Sequence, residues 1–537
     1  MTVSLRPPSP TGVLVAAVTW VVAWLPSLLP LGSVLQGVVC GLLAAIGYGI
    51  GASAAATARV VSRQPRRRPE PRGDRGGPAA TPRWYRFCAG AAAAVAILAG
   101  WPLSGGLRVQ AVQLGAPQLA VNALVATVIG VLLAALLVLA GRGLRAASRR
   151  FARLFQRGLR QGGSPGSTSS PALAPGSLAL LLGALATTLT VGAVVALGLF
   201  ATWESFARID ASTSGQRPPA DPSRSGSAAS LIAFNTLGRE GRDFVSQGTP
   251  ATSIRAFAGL TSAATDDERA ELAVRDMLRA GGADAPIWIG ITTTGNGQID
   301  PVAAQAAEDA AGGRAALVAI QYSTLPSWLS FLVDQEAAKS AGVALYDALA
   351  AARDALPPAN DTTTPRPKLI LYGESLGAYG SPAPFAGLDP AQVASRIDGA
   401  LWVGPPASTD PITGWTYAGQ PPVWQPIVGG GRTARYAAST GAAAQPPGDG
   451  SWPTPRILVL QNPTDPVVWF APGLIASRPE WLTGQRGPGV QPGTRWTPVL
   501  FFLQVAMDLP PAVGMPSGSG HSYADALPAA WRQVLGG

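Results

Sequence analysis

The chain has 537 residues, of which 47% are hydrophobic and only 13% are charged, and its mean hydropathy is +0.23. A soluble globular chain carries about 25% charged residues, so a wholly soluble protein is excluded and part of the chain is predicted to lie in lipid. The 64 Gly and 50 Pro follow no fixed period, which excludes a collagen-like chain.

The net charge of +10 is unevenly distributed along the chain. Residues 1–203 hold 18 Arg and 2 acidic residues, whereas residues 204–537 hold 22 Lys plus Arg and 28 acidic residues. The basic charge therefore belongs to the apolar part, and no nucleic-acid partner is predicted. Two Lys against 38 Arg, with abundant Ala, are typical of a bacterium with a high-G+C genome.

Five stretches of residues 1–203 lack charge over about the 20 residues that a membrane-spanning helix needs. They are Thr11–Pro30, Leu31–Ala56, Phe87–Leu103, Leu119–Ala140 and Ser177–Trp203. The third is the shortest. A cleaved signal peptide could account for the first stretch alone. Residues 1–203 are thus predicted to be an all-α bundle of about five transmembrane spans, with the lipid bilayer as a partner.

The Arg residues predict the orientation of these spans. The segment Thr57–Arg86 carries nine Arg and Gly141–Ala174 carries seven, whereas Ser104–Gln118 carries only Arg108. Because basic loops stay in the cytoplasm, five spans place the N-terminus inside and the residues after Trp203 outside. The chain is therefore predicted to be a multi-pass protein of the bacterial plasma membrane, with its C-terminal domain outside the cytoplasm. One miscounted span would place that domain on the cytoplasmic side.

Residues 204–230 are rich in Ser, Pro, Gly and Arg and are predicted to be a flexible linker. In residues 231–537, short β-rich runs alternate with longer helical stretches such as Phe331–Leu356. This alternation predicts an α/β domain with a mostly parallel sheet. The predicted strands are Pro286–Thr293, Ala315–Tyr322, Lys368–Tyr372, Ala400–Gly404 and Arg456–Gln461.

A G-x-S-x-G sequence, Gly373 to Gly377, follows the predicted strand Lys368–Tyr372. A sharp strand-to-helix turn of this kind exposes the serine, here Ser375, as a nucleophile, and the flanking glycines avoid collisions with nearby backbone. The pattern alone is weak evidence, since residues 162–166 also match it. Only the match at residues 373–377 has the required strand before it.

A serine hydroxyl needs a base to act as a nucleophile. The chain contains one histidine, His521, so any imidazole base is His521. On sheets of this kind the order along the chain is nucleophile, acid, histidine, and the acid is expected at the end of a strand. Asp465, just after Arg456–Gln461, is predicted to orient His521, with Asp508 as its rival.

The negatively charged intermediate of acyl transfer needs backbone N–H donors. The N–H of Leu376, directly after the nucleophile, is predicted as one donor, and that of Thr294, in the loop after Pro286–Thr293, as the other. An ordinary turn is the alternative for that loop. Residues 405–455, rich in Gly and Pro, are a possible cap insertion over the site.

With these residues in place, the chain resembles a poorly characterised bacterial family of membrane-anchored alpha/beta-hydrolase-like proteins with a dedicated N-terminal multi-span membrane region. The resemblance covers nearly the whole length. It rests on the segments 25–30 (LPSLLP), 47–49 (GYG), 237–245 (LGREGRDFV), 321–328 (QYSTLPSW), 373–377 (GESLG), 400–406 (ALWVGPP) and 465–469 (DPVVW). Two histidines that the family tends to carry, near Asn462 and Ser519, are absent. The resemblance implies an alpha/beta-hydrolase fold and a catalytic triad but no substrate.

The prediction is a membrane-anchored serine hydrolase, of esterase, lipase or thioesterase type, that forms an acyl-enzyme on Ser375. A small-molecule or lipid ester, such as an envelope lipid, is the expected substrate. This chemistry requires no cofactor and no metal. The alternative is a catalytically inactive alpha/beta-hydrolase-like module that binds lipid or a partner at the cell envelope. A transporter is disfavoured because the predicted spans contain no charge at mid-membrane.

Overall fold

The structure is a computed structural model that describes residues 7–61, 82–161, 185, 188, 204–212, 215–248, 253–357 and 366–536. The chain divides into two compact units. The first comprises Met1–Pro26, Pro30–Val112 and Pro117–Thr202, and the second comprises Ser27–Leu29, Gln113–Ala116 and Trp203–Gly537.

The described part of the first unit consists mainly of α-helices. Their bounds are Pro10–Val22, Gly32–Val61, Arg83–Gln113 and Ala123–Gln161. Within the described residues, three stretches are long and apolar enough to cross a membrane, namely Gly32–Arg59, Arg83–Gln113 and Ala123–Arg153. The shortest of the predicted segments, Phe87–Leu103, therefore lies inside a long helix.

The first predicted span, Thr11–Pro30, differs from the structure. Its helix has only 13 residues, because Pro26 and Pro30 cannot continue a regular helix. The fifth predicted span, Ser177–Trp203, lies outside the described residues apart from Leu185 and Thr188. The structure thus supports a membrane-associated helical region with three candidate spans, and the count of five remains a prediction.

Small residues set the packing between two of these helices. A Cβ atom at Gly37 would approach the Ala126 carbonyl oxygen to 2.8 Å, and one at Gly41 would approach that of Gly130 to 2.8 Å. Glycines spaced four residues apart allow helix backbones to approach closely in a membrane, where van der Waals packing replaces the hydrophobic effect. Larger side chains here would force the helices apart.

The second unit contains a parallel sheet of seven strands in the order β1-β3-β2-β4-β5-β7-β6. The strands are β1 Ile254–Ala258, β2 Ile287–Thr292, β3 Ala315–Ile320, β4 Lys368–Glu374, β5 Gly399–Val403, β6 Ala434–Ala437 and β7 Arg456–Leu460. All five predicted strands are present, and every neighbouring pair is parallel. The strands β1 and β6 were not predicted.

The second unit also contains α-helices, several of which cover the sheet. Their bounds are Gly238–Ser246, Asp266–Arg279, Pro301–Ala310, Ser327–Val333, Gln335–Ala355, Leu376–Gly380, Pro390–Ala394, Ile412–Ala418, Thr440–Ala444, Pro466–Trp469, Glu480–Thr483, Leu500–Ala512 and Leu527–Leu535. Asp266–Arg279 packs with Gln335–Ala355, and Pro301–Ala310 packs with Leu527–Leu535. The right-handed crossover rule puts these two pairs on opposite faces, so the strands are buried on both sides.

The prediction of a flexible linker over residues 204–230 is wrong for much of that segment. Residues 204–211 are helical, and residues 224–227 are buried. Ser225 Oγ donates a 2.6 Å hydrogen bond to Asp276 Oδ2 and accepts one of 3.0 Å from the Phe257 N–H of β1. Composition could not indicate this, because the two partners lie 32 and 51 residues further along the chain.

The insertion 405–455 contains a strand that was not predicted. It supplies β6, which pairs with β7 and extends the sheet at its edge. None of its residues belongs to the described lining of the cavity that contains Ser375. The insertion therefore contributes a strand to the edge of the sheet, and a cap over the cavity remains a prediction.

Asp508, the rival acid, has a structural position in this unit. It is fully buried, accepting hydrogen bonds from Ser27 Oγ at 2.8 Å and the Leu28 N–H at 2.9 Å. Burial raises the pKa of Asp508 to about 8. Asp508 therefore holds the segment Ser27–Leu29 and is not the partner of His521.

We expect Asp508→Ala to lower stability by about 1 to 3 kcal/mol, because it removes the acceptor of both buried hydrogen bonds. Asp508→Asn should cost much less, since an amide can accept from Leu28 and donate to Ser27. The midpoints of thermal unfolding of the detergent-solubilised full chain measure both effects. Equal losses for the two variants would contradict this interpretation.

Candidate active site

Ser375 lies in a sharp turn between β4 and the helix Leu376–Gly380, with φ 54° and ψ −122°. A non-glycine residue rarely adopts this positive φ. A Cβ atom at Gly373 would overlap the Gly377 carbonyl, and one at Gly377 would overlap the Thr292 carbonyl. Both glycines of the motif are thus required by close backbone approaches, and the turn has the strained geometry expected of an exposed nucleophile.

His521 and Asp465 are in direct contact. His521 Nδ1 lies 2.7 Å from Asp465 Oδ2, and the side chains are 4% and 0% exposed. Asp465 follows β7 and caps the helix Pro466–Trp469, where its Oδ1 accepts from the Val467 N–H at 2.8 Å. The carboxylate is therefore fixed by its own backbone, and it selects the tautomer with the proton on Nδ1.

Two further residues hold this pair, and the sequence analysis missed both. The Tyr523 hydroxyl donates a 2.6 Å hydrogen bond to Asp465 Oδ2, and its ring packs edge-on against His521. Gly404, after β5, has φ 56°, and a Cβ atom there would overlap His521 Cε1. Tyr523 lies two residues from His521 and could have been noticed, whereas no local signal reveals the Gly404 contact.

Ser375 and His521 line the same cavity, which has a volume of about 280 Å³. His521 Nε2 is buried and has no hydrogen-bond partner among the described residues. Since Nδ1 is held by Asp465, Nε2 is the nitrogen that can exchange a proton in the cavity. The described lining consists of Ile291, Thr292, Thr294, Gln298, Ile299, Asp300, Ser327, Tyr372, Glu374, Ser375, Val513, His521, Ser522, Tyr523 and Ala524.

Comparison with known families agrees with this geometry. The model of the Alpha/beta-hydrolase family matches residues 254–537, and that of the Alpha/beta-hydrolase family N-terminus matches residues 25–249. The chain belongs to the alpha/beta-hydrolase family. No curated protein and no solved structure matches the chain significantly. The parallel sheet with helices on both faces fits this family, and the resemblance found in the sequence is confirmed.

As in an alpha/beta-hydrolase generally, an oxyanion hole would combine the N–H after the nucleophile with one from an earlier strand's loop. The Leu376 N–H begins a helix, where N–H groups have no intrahelical acceptor. The prediction for Thr294 is wrong, because its N–H donates a 3.0 Å hydrogen bond to the Gln298 carbonyl within a turn. The Thr293 N–H, one residue earlier, donates to no acceptor among the described residues.

Glu374, the residue before the nucleophile, also lines the cavity and was not singled out from the sequence. Burial raises the pKa of Glu374 to about 7, and the charge of Asp300 adds to the rise. The Tyr372 hydroxyl donates a 3.0 Å hydrogen bond to Glu374 Oε2. Glu374 thus changes charge near neutral pH beside Ser375, and the x position of G-x-S-x-G gave no indication of this.

Burial lowers the pKa of His521, but the charge of Asp465 and the hydrogen bond to it outweigh this effect, and Glu374 adds to the rise. The net pKa of His521 is therefore above its usual value. Among the described residues, no group of three or more His, Cys, Asp or Glu side chains could hold a metal ion.

Proposed function

We propose that this alpha/beta-hydrolase cleaves an ester or thioester through an acyl-enzyme on Ser375. The observation that carries the proposal is the orientation of His521. Its Nδ1 is held by Asp465 at 2.7 Å, while its unpartnered Nε2 lies in the wall of the cavity that Ser375 also lines. A base held in this way can activate a serine hydroxyl.

In the proposed reaction, Ser375 Oγ attacks the carbonyl carbon while His521 Nε2 takes the hydroxyl proton. Asp465 stabilises the imidazolium that forms. The N–H groups of Leu376 and Thr293 bind the oxyanion of the tetrahedral intermediate. His521 then protonates the leaving alcohol or thiol, and a water molecule, activated by the same nitrogen, hydrolyses the acyl-enzyme.

Labelling of the purified full chain with a fluorophosphonate tests the proposal. This reagent modifies a serine only when it is activated by a base, so we expect wild type to be labelled and Ser375→Ala and His521→Ala to remain unlabelled. A folded wild type that is not labelled would overturn the proposal and support an inactive module that binds lipid or a partner.

We also propose that the chain is a multi-pass plasma membrane protein with the hydrolase domain outside the cytoplasm. The three long apolar helices and the Arg-rich segments between predicted spans support this. Such an anchor would hold the site near envelope lipids, which are therefore candidate ester substrates. Alkaline phosphatase fused after Trp203 should be active. Activity of a cytoplasmic reporter at the same position would reverse the orientation.

The pH dependence of hydrolysis should reflect the raised pKa of His521. The base must be neutral, so kcat/KM for an uncharged ester should rise with pH and reach half its maximum above pH 6.5, the usual pKa of histidine. In Glu374→Gln a negative charge that favours the imidazolium is removed, and the midpoint should fall by roughly 0.5 to 1 unit. The exposed control Glu271→Gln should leave the midpoint unchanged. A higher midpoint in Glu374→Gln would contradict the conclusion that the charge of Glu374 raises the pKa of His521.

We expect Gly404→Ala to reduce kcat/KM by roughly 100-fold. The added methyl group would displace the His521 imidazole from its position beside Asp465, and a shift of about 1 Å is enough for such a loss. Gly429→Ala is the matched control, since Gly429 has a similar φ of 55° and no heavy atom lies within 4 Å of its Cβ position. The thermal unfolding midpoint identifies general misfolding. A folded Gly404→Ala variant with full activity would show that His521 does not act from this position.

A further inference from the structure

The wall of the cavity beside Ser375 carries two carboxyl side chains. Glu374 precedes the nucleophile on β4, and Asp300 follows β2. Among the described residues that line the cavity, none is Lys or Arg. The cavity therefore has two acidic groups and no described Lys or Arg side chain to balance them.

Both carboxyl groups retain capacity for a ligand. Asp300 uses Oδ1 to cap the helix Pro301–Ala310 through the Val302 N–H at 2.6 Å, and Glu374 Oε2 accepts from Tyr372. An ionised carboxylate has two oxygens and about four acceptor sites. Burial of such a group without a cation is costly, which is consistent with the raised pKa of Glu374. A cation bound in the cavity would relieve this cost.

A second observation points to a ligand at the same place. His521 is 6% exposed, and its Nε2 has no hydrogen-bond partner among the described residues. The cavity thus contains an unsatisfied buried nitrogen together with the two carboxyl groups. Its volume of about 280 Å³ is at the lower limit for a small-molecule site, so the group it takes must be small.

We propose that the cavity beside Ser375 takes a small, positively charged alcohol or thiol portion of the substrate, with Glu374 and Asp300 as its counter-charges. The proposal rests on the proposed hydrolase function and specifies its substrate class as esters of amino alcohols or aminothiols. Anionic groups, such as phosphates, would be repelled from the same position, because like charges repel one another.

Two thioesters of nearly equal shape provide the test. Acetylthiocholine and 3,3-dimethylbutyl thioacetate share the acetyl group. The first has a positively charged quaternary nitrogen where the second has a neutral quaternary carbon. For the full chain in detergent at pH 8, we expect kcat/KM for acetylthiocholine to exceed that for the neutral isostere by roughly tenfold or more. Release of thiol measures both rates, and added salt should reduce the ratio.

The ratio should also depend on pH and on the two carboxyl groups. It should fall as the pH is lowered through about 7, because Glu374 becomes neutral. The other titratable groups around Glu374 are Asp300, Asp465, His521, Tyr372 and Tyr523. Titration of these groups affects the hydrolysis of both thioesters, so the ratio of the two rates at each pH cancels that shared effect. Glu374→Gln keeps an acceptor for Tyr372 and Asp300→Asn keeps the helix cap, so both variants should fold and show a lower ratio. Glu271→Gln should keep the wild-type ratio.

A binding measurement separates this proposal from the hydrolase proposal. Choline should bind the wild-type chain at least tenfold more tightly than 3,3-dimethylbutan-1-ol in calorimetry, and Glu374→Gln should lose the difference. Suppose that the fluorophosphonate labels the chain but the two thioesters are hydrolysed at equal rates and the two alcohols bind equally. This result would overturn the cation site and leave the hydrolase proposal intact. Selective binding of choline without labelling or turnover would support the cation site and reject the hydrolase. Absence of both binding and selectivity would overturn the inference.

Discussion

Ser375→Ala should abolish turnover of ester substrates, with kcat falling by about 10⁴-fold to 10⁶-fold. Removal of the nucleophile from a serine triad leaves only the contributions of the oxyanion hole and substrate binding. The substitution deletes one oxygen in a turn whose geometry depends on Gly373 and Gly377, so the fold should be retained. Steady-state hydrolysis of a short-chain ester by the purified full chain measures the effect.

The matched control is Ser164→Ala, which alters the other G-x-S-x-G match of the chain, at residues 162–166 outside the described part. We expect this variant to keep wild-type activity. Retention of more than about one tenth of kcat by Ser375→Ala would show that another group attacks the substrate, and the acyl-enzyme proposal would then fail.

Asp465→Asn should lower kcat by about 10⁴-fold, the loss that accompanies the wrong histidine tautomer in serine triads. Asp465 Oδ2 accepts from both His521 Nδ1 and the Tyr523 hydroxyl. An amide nitrogen at this position would present hydrogens to the imidazole and favour the proton on Nε2, where it blocks general-base catalysis. The same steady-state assay of ester hydrolysis measures the loss.

Asp508→Asn is the control for this experiment, because Asp508 was the rival acid and lies in a different set of hydrogen bonds. Its activity should stay close to that of wild type. A large loss in Asp508→Asn with little loss in Asp465→Asn would reverse the assignment of the acid.

The strands that sequence reasoning located share a physical property. Segments such as Lys368–Tyr372 and Arg456–Gln461 lie in a sheet that is covered on both faces, so they form nearly continuous apolar runs. β1 lacks this property because Arg255 interrupts it. Arg255 is buried there through two hydrogen bonds of 2.7 and 2.8 Å to Glu308, a partner 53 residues away that no local pattern identifies.

The predictions for residues 204–230 and for the strand within residues 405–455 failed for a related reason. Residues 215–230 have the composition of a linker, but Ser225 connects β1 to Asp276. Within the insertion 405–455, β6 has only four residues and gains its stability from pairing with β7 at the sheet edge. Composition measures average behaviour in water, whereas these segments are fixed by particular partners.

The amino-acid sequence alone was sufficient to locate the membrane-associated half, the parallel α/β domain, the candidate nucleophile and the only imidazole, since apolar length, strand patterning and the number of histidines are local or compositional properties. The tertiary structure was needed to bring Tyr523 and Gly404 against the imidazole, to assign the Thr294 N–H to a turn and to place Glu374, half-buried, beside Ser375. These features depend on distances between residues far apart in the chain. Hydrogen bonding, steric exclusion and the pKa of a buried group change over a few ångströms, which no spacing along the sequence specifies.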